Sequence, residues 1–220
     1  MKINNLILAS SSSHREKILR KTGITFSVQK PEFCEEAVTG EDGKDVALAR
    51  AKGKAMSVAQ TVTQCLVIGC DQVGQVDGSQ FSKITDLQEA RQFLRFLSDK
   101  THTLHSAFSI VYSGAQTPPN LLHLGAESVK LKVRHIDDCL IDSYLATREW
   151  IGTTGCYRIE GIGMHLMEKI EGEQSAIIGL PIISLLKALR NIGIDGLSNP
   201  KGPWYLKHQR GNEEGQRSWT

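Results

Sequence analysis

The sequence predicts an α/β protein built on a mixed, twisted sheet, and three observations carry that expectation. Short apolar runs of strand length, LILA at 6–9 and CLVIGC at 65–70, alternate with stretches of helical period. Capping residues and glycines punctuate the transitions, as at Ser10–Ser13, Gly23 and Asp86. Two long β-type segments, 102–112 and 127–136, are joined by a Gly/Pro/Asn-containing loop that starts at Ser113.

Taken in order, Leu6–Ala9 reads as a strand, the serines after it as a cap, and EKILRKTG as a helix stopped at Gly23. Residues 24–29 alternate as a second strand, and 42–61, rich in Ala and Lys, form a long helix whose weak point is Gly53. Residues 65–76 form a buried strand broken by Asp71 and Gln72, which places Asp71 where the strand end meets solvent. Asp86 and Glu89 make a capping-box pattern, and Leu87, Ala90, Phe93, Leu94 and Leu97 share one helical face. A helix over 137–147 follows, with Leu140, Ile141, Tyr144 and Leu145 on one side. The stretch GTTGCYRIEGIG is too glycine-rich for a regular element. A strand over 164–170, a turn at EGEQ, a strand at AII and a helix over 181–192 with Pro181 in its first turn complete the body. Residues 1–195 therefore read as one domain. Residues 196–220 read as a polar, flexible tail, in which Trp204 and Tyr205 are large enough to dock on the body.

The chain carries 26 Lys and Arg against 24 Asp and Glu, a formal net charge of +2. That balance argues against broad nucleic-acid or membrane-surface binding and leaves room for a local basic pocket. The run Leu6–Ala9 is too short for a signal-peptide core or a membrane span, and AIIGLPIISLL is broken by Gly179 and Pro181. Cys34, Cys65, Cys70, Cys139 and Cys156 form no C-x-x-C pair and read as reduced, mostly buried thiols. These features predict a cytoplasmic protein.

Several residues could carry chemistry. Ser10, Ser12 and Arg15 combine hydroxyls and free backbone N–H groups at a helix N-terminus with a guanidinium one turn along, a combination suited to phosphate; the alternative is a plain serine cap beside a surface arginine. Asp71 can hold Mg²⁺ or orient a water, or can simply form a turn. Glu35, beside Glu36, offers a second carboxylate or a solvated loop. Lys54 and Lys83 are candidate phosphate contacts, although isolated lysines are usually surface residues. His102 and His105 point to opposite faces of a strand and make a poor metal pair. The GIG at 161–163 lacks the dinucleotide fingerprint.

In combination these signals are specific. The order and spacing of LILASSSSHREKIL, VIGCDQV, FSKITDLQEA, GTTGCYRIEGIG and IEGEQSAIIGLP resemble the Maf family of nucleoside triphosphate pyrophosphatases over about residues 5–193. The resemblance implies an elongated, two-lobed α/β fold with a central cleft, shared with inosine triphosphate pyrophosphatases. It also implies cleavage between the α and β phosphates, giving a monophosphate and pyrophosphate, with a divalent cation, Mg²⁺ or Mn²⁺. By matching positions, Ser10, Ser12 and Arg15 would hold phosphate and Lys54 and Lys83 would neutralise the triphosphate. Glu35 and Asp71 would bind the metal, with Asp71 as the general base. His14, Gln72 and Glu160 fall at the family's specificity positions, and Gln72 and Glu160 match the branch acting on 7-methyl-GTP. A carboxylate can accept both N1–H and N2–H of a guanine edge, and 7-methylation adds a positive charge that Glu160 and the rings of Tyr157 or His14 would attract. Cys34, Gly53, Ile84, Thr154 and Cys156 depart from the family pattern. The expected partner is a nucleotide, with no nucleic acid and no membrane, and a homodimer is a family-level expectation. Competing expectations are a pyrophosphatase for dTTP, UTP or deaminated purines, and a low-turnover nucleotide-binding regulator of septum formation.

Overall fold

A computed structural model describes residues 2–206. Its centre is a mixed sheet in the order β3-β2-β4-β6-β7-β8, with β5 on the edge of β4. Strands β2 (Asn5–Ala9), β3 (Ser27–Gln29) and β4 (Cys65–Val76) are mutually parallel. The rest, β5 (Ser79–Phe81), β6 (Thr101–Ser113), β7 (Asn120–Val133) and β8 (Met167–Glu171), pair antiparallel.

Strands β2 and β4 are apolar over residues 6–9 and 66–68 because both their faces are covered there, whereas the edge strand β3 is mostly polar and largely exposed. Alternation sends Leu6, Leu8, Leu66 and Ile68 into one core, with helices α1 (Ser13–Arg20) and α6 (Ile182–Asn191). Ile7, Ala9 and Val67 go to the other face, against Ala55 and Val58 of helix α2 (Gly43–Ala59). The alanines of α2 let it lie close to the sheet. At Gly69 the approach is so close that a side chain would meet the Ala51 carbonyl. A further core gathers helices α3 (Leu87–Leu97) and α4 (Asp138–Ala146), the inner ends of β6 and β7, and the glycine-punctuated loop through Tyr157. Four helices start where the sequence places caps: Ser12, Asp42, Asp86 and Asp137 each accept a backbone N–H with their side chain.

Several elements differ from expectation. The segment at 176–178 is not a strand: Gln174–Ile177 is a short helix, α5, because the carbonyls of Ala176 and Ile177 are used by side chains of the sheet rather than by a ladder. Strand β8 starts at Met167, after a 3₁₀ turn over Ile162–Leu166. Pro181 is the cap of α6 rather than a first-turn residue. The tail expectation is corrected for residues 196–206. Trp204–Tyr205 forms β9, which pairs with β1 (Lys2–Ile3), and Trp204 is buried in the α1–α6 core. Residues 207–220 of that expected tail lie outside the described residues. The five cysteines are unpaired; Cys65, Cys70 and Cys156 are buried, while Cys34 and Cys139 are exposed.

Candidate active site

Asp71 is not at a strand end. β4 continues to Val76, held along its length by β6. On the opposite edge, β2 pairs with β4 only as far as Gly69 and β5 begins only at Gly74. Residues 70–73 therefore border a gap in the sheet. Because side chains alternate, Asp71 faces α2 and Gln72 faces α5 from adjacent positions. The start of α1 stands over the same gap, since Ser10 directly follows the last residue of β2.

A cavity of about 400 Å³ opens there. At its floor the Lys54 ammonium lies 2.5 Å from Asp71 Oδ1 and 2.7 Å from Glu35 Oε1. Lys54 and Asp71 are buried, whereas the Glu35 side chain is 48% exposed. Lys54 was expected to neutralise the triphosphate, but its charge is already matched by these two carboxylates. Burial raises the affinity of Glu35 for its proton. The hydrogen bond and charge of Lys54, with Arg15 and Arg50, outweigh that and hold the carboxyl below its ordinary range. Asp71 Oδ2 is buried and has no hydrogen-bond partner among the described residues. A free buried carboxylate oxygen needs a ligand.

At the mouth, Ser10 Oγ accepts from Ser12 N–H at 3.1 Å and Ser12 Oγ accepts from Arg15 N–H at 3.4 Å. The Arg15 guanidinium is anchored by donating from Nε to the Gly179 carbonyl (2.9 Å) and from Nη1 to the Cys70 carbonyl (3.1 Å). The backbone of Lys83 forms an isolated antiparallel bridge with Thr154, and both residues line the cavity. Burial lowers the Lys83 pKa and the neighbouring Arg15 and Lys54 add to the effect, with Glu35 and Asp71 opposing.

A second pocket continues past Ser12, Arg15, Gln72, Lys83 and Thr154, which line both spaces. Beyond them it is walled by His14, Tyr157, Arg158 and Glu160. His14, Gln72 and Glu160 thus meet in one pocket although they are far apart in the chain. The Gln72 amide donates to Ser106 Oγ and to the carbonyls of Ala176 and Ile177, which leaves its oxygen as the group available to a ligand. Glu160 accepts from Arg158 at 3.0 Å and keeps its second oxygen uncommitted in that pair. Burial lowers the His14 pKa, with Glu160 opposing and Arg158 assisting, which favours the neutral ring. Tyr157 is fixed from behind by His102 Nε2, 2.6 Å from its hydroxyl.

Every residue singled out as a site candidate lines one of these two adjoining spaces. Sequence reasoning missed Arg50 and Lys30, which also line the larger cavity. Arg50 stands four residues before Lys54, so helical spacing was the signal that could have found it. Cys34 does not join the site; it is exposed and its thiol lies 3.5 Å from Glu36 Oε2. His102 and His105 stand on opposite faces of β6: the first is buried against Tyr157 and the second lies by Ser128 and Gln75.

A divalent cation fits these residues. Asp71 Oδ2 and Glu35 offer hard oxygen ligands, and Mg²⁺ commonly takes one or two carboxylates and completes its shell with water and substrate phosphates. Among the described residues no cluster of three or more His, Cys, Asp or Glu forms a complete protein cage. No described helix is long and apolar enough to cross a membrane.

Residues 5–192 match the family described as Maf-like protein. A Bartonella henselae protein named 7-methyl-GTP pyrophosphatase is 40% identical over 203 residues, covering 89% of this chain and 100% of that protein. Proteins of the same name from Bordetella avium and Rhizobium johnstonii are 36% and 38% identical, covering 89% and 87% of this chain and 96% and 98% of theirs. A solved HAM1 protein from Coxiella burnetii overlaps 59% of this chain and 72% of its own at 18% identity, with a TM-score of 0.34, too low to add to the fold already described.

Proposed function

Because this chain belongs to the Maf family, we propose that it hydrolyses nucleoside triphosphates between the α and β phosphates, on 7-methyl-GTP or a related guanine nucleotide. The observation that carries the reading is the Asp71–Lys54–Glu35 group at the gap in the sheet, with a second pocket lined by His14, Tyr157 and Glu160 opening directly from it. Ser12, Arg15 and Lys83 stand at the junction, where the α-phosphate of a nucleotide held in that pocket would lie.

The chemistry follows from what these residues can do. Lys54 holds the Asp71 carboxylate by Oδ1, so Oδ2 is the oxygen left to take the proton of an attacking water, and Glu35 would then be the carboxylate that holds the cation. Arg15 is immobilised by two carbonyls and presents its charge without rearrangement. Lys83 adds a cation opposite it. A bound Mg²⁺ or Mn²⁺ would supply further neutralisation of the phosphate oxygens. Pyrophosphate then leaves as a stable anion.

For the base, the free oxygen of Glu160 and the Gln72 oxygen are acceptors that suit the N1–H and N2–H edge of guanine. A neutral His14 ring can lie beside a cationic 7-methylated base without charge repulsion. A role in clearing modified nucleotides, in the cytoplasm and as a homodimer, completes the proposal; the unpaired cysteines suit that compartment.

The test is pyrophosphate release from 7-methyl-GTP, GTP, UTP, dTTP and ITP with Mg²⁺ or Mn²⁺, run beside Asp71→Asn. Turnover led by a guanine nucleotide and abolished in the variant supports the reading. Binding without turnover favours the regulator, and a lead for UTP or dTTP removes the assignment of Glu160.

A further inference from the structure

We propose that Arg50 binds the pyrophosphate half of the substrate, making the far end of the cavity a subsite for the two phosphates that leave together. The proposal rests on the pyrophosphatase reading above and adds a residue to it.

Arg50 lies on α2 one turn before Lys54, so both side chains reach the same cavity. Lys54 is matched by Asp71 and Glu35, and Arg15 has two donors fixed on carbonyls. Arg50 has a single fixed contact, Nη2 donating to the Val38 carbonyl at 3.0 Å. Its Nε is buried and has no acceptor among the described residues. A buried guanidinium N–H without an acceptor is unfavourable, and a planar fork with open donors matches phosphate oxygens.

Position gives the identity of the phosphates. Arg15 and Lys83 line both spaces, whereas Arg50 and Lys30 line only the phosphate cavity. A nucleotide with its base against Glu160 passes the junction at its α-phosphate, so whatever reaches Arg50 is the β- or γ-phosphate. Charge agrees: five cationic side chains and three carboxylates line the cavity, an excess of two positive charges. A triphosphate with one divalent cation carries about two negative charges. The subsite therefore favours triphosphates over monophosphates and retains pyrophosphate as an inhibiting product.

Calorimetric titration of inorganic pyrophosphate and of GMP, each with Mg²⁺, into the full chain and into Arg50→Leu and Arg50→Lys tests this, with circular dichroism to check folding. The leucine variant should lose about tenfold or more in pyrophosphate affinity, change GMP affinity by less than about twofold, and raise KM for the triphosphate more than it lowers kcat. The lysine variant should recover part of the loss, since it restores charge without the fork. Equal pyrophosphate affinity in wild type and Arg50→Leu overturns the proposal. So does a parallel loss of GMP affinity, which would assign Arg50 to holding the Val38 loop. If Arg50→Leu does not fold, Arg50→Lys and Arg50→Gln are read by the same criteria. Wild type that hydrolyses nucleotides yet binds no pyrophosphate removes the subsite alone. Wild type that binds pyrophosphate through Arg50 without hydrolysing any nucleotide removes the enzymatic reading and keeps the subsite.

Discussion

The ring of Phe33 occupies the space that a side chain at Gly53 would need. Phe33 is two residues before Glu35, so this contact seats the acidic loop against α2, one residue from Lys54. Gly53, a weak point by helix propensity, is thus the socket that brings Glu35 to its partner.

Replacing Gly53 with alanine should therefore separate stability from activity. The half-buried Phe33 ring can swing out, and the helix gains up to about 1 kcal/mol in propensity, so the melting temperature should change little. Turnover should fall by about tenfold because Glu35 is displaced from Lys54. Adding Phe33→Leu should restore part of it. A Gly53→Ala variant with full turnover would show that the socket does not position Glu35.

Removing the charge between the two carboxylates tests the floor of the cavity. Lys54→Met leaves Asp71 buried without its partner, which should destabilise the fold by about 3 kcal/mol in a denaturant titration. Glu35 then loses the main influence holding its pKa down. Its carboxyl is needed ionised, so whatever activity survives should lose its acid limb at a higher pH than wild type. An unshifted limb would mean that Glu35 does not control it.

His102 makes stability pH-dependent. Burial lowers its pKa to about 4, against 6.5 for the free side chain. The folded state binds fewer protons than the unfolded state between these values, so stability falls as pH drops from about 6.5 towards 4. By pH 5 the loss should be about 2 kcal/mol relative to pH 7. His102→Gln, which can still meet the Tyr157 hydroxyl and does not titrate, should flatten that part of the curve. A curve of unchanged slope would show that His102 is protonated in the fold.

Base choice should depend on Glu160. Glu160→Gln removes an ionised acceptor, and kcat/KM for guanine nucleotides should fall by about 100-fold while UTP changes by less than about threefold. A uniform fall across all bases would show that the residue only anchors Arg158.

Truncation after Asp195 removes Trp204, which is 4% exposed, together with the strand that pairs with Lys2–Ile3. The loss should be about 4 kcal/mol, read as a lower denaturant midpoint. A shortened chain as stable as the full one would contradict the packing of β9.

The legible parts of the fold were those with a local cause. Ser12, Asp42, Asp86 and Asp137 announce helix starts because a cap is made within three residues. The AII segment was misread because three apolar residues carry no period, and what makes them a helix is a glutamine and a serine on distant strands. The Gly53–Phe33 contact was hidden for the same reason, and helical spacing could place Arg50 beside Lys54 without showing what the two side chains face. Their meaning depends on a cavity assembled from segments far apart in the chain. The site candidates were recoverable because their types and spacing follow a family pattern, while Lys54's engagement with two carboxylates is a matter of geometry that spacing does not carry.

Asp71 and Gln72 are neighbours on β4, one turned to Lys54 and the larger cavity and the other to the carbonyls of α5. A slip of a single residue along β6 would exchange them, bringing an amide to the phosphates and a carboxylate to the backbone of α5. What prevents this is the ladder from Cys65↔Ser113 to Gln75↔Thr103. Which of the two side chains meets Lys54 therefore depends on strand alignment. An inserted or deleted residue within β4 ahead of Asp71 would reverse the two faces, and turnover should be lost although every side chain of the site is still present in the chain.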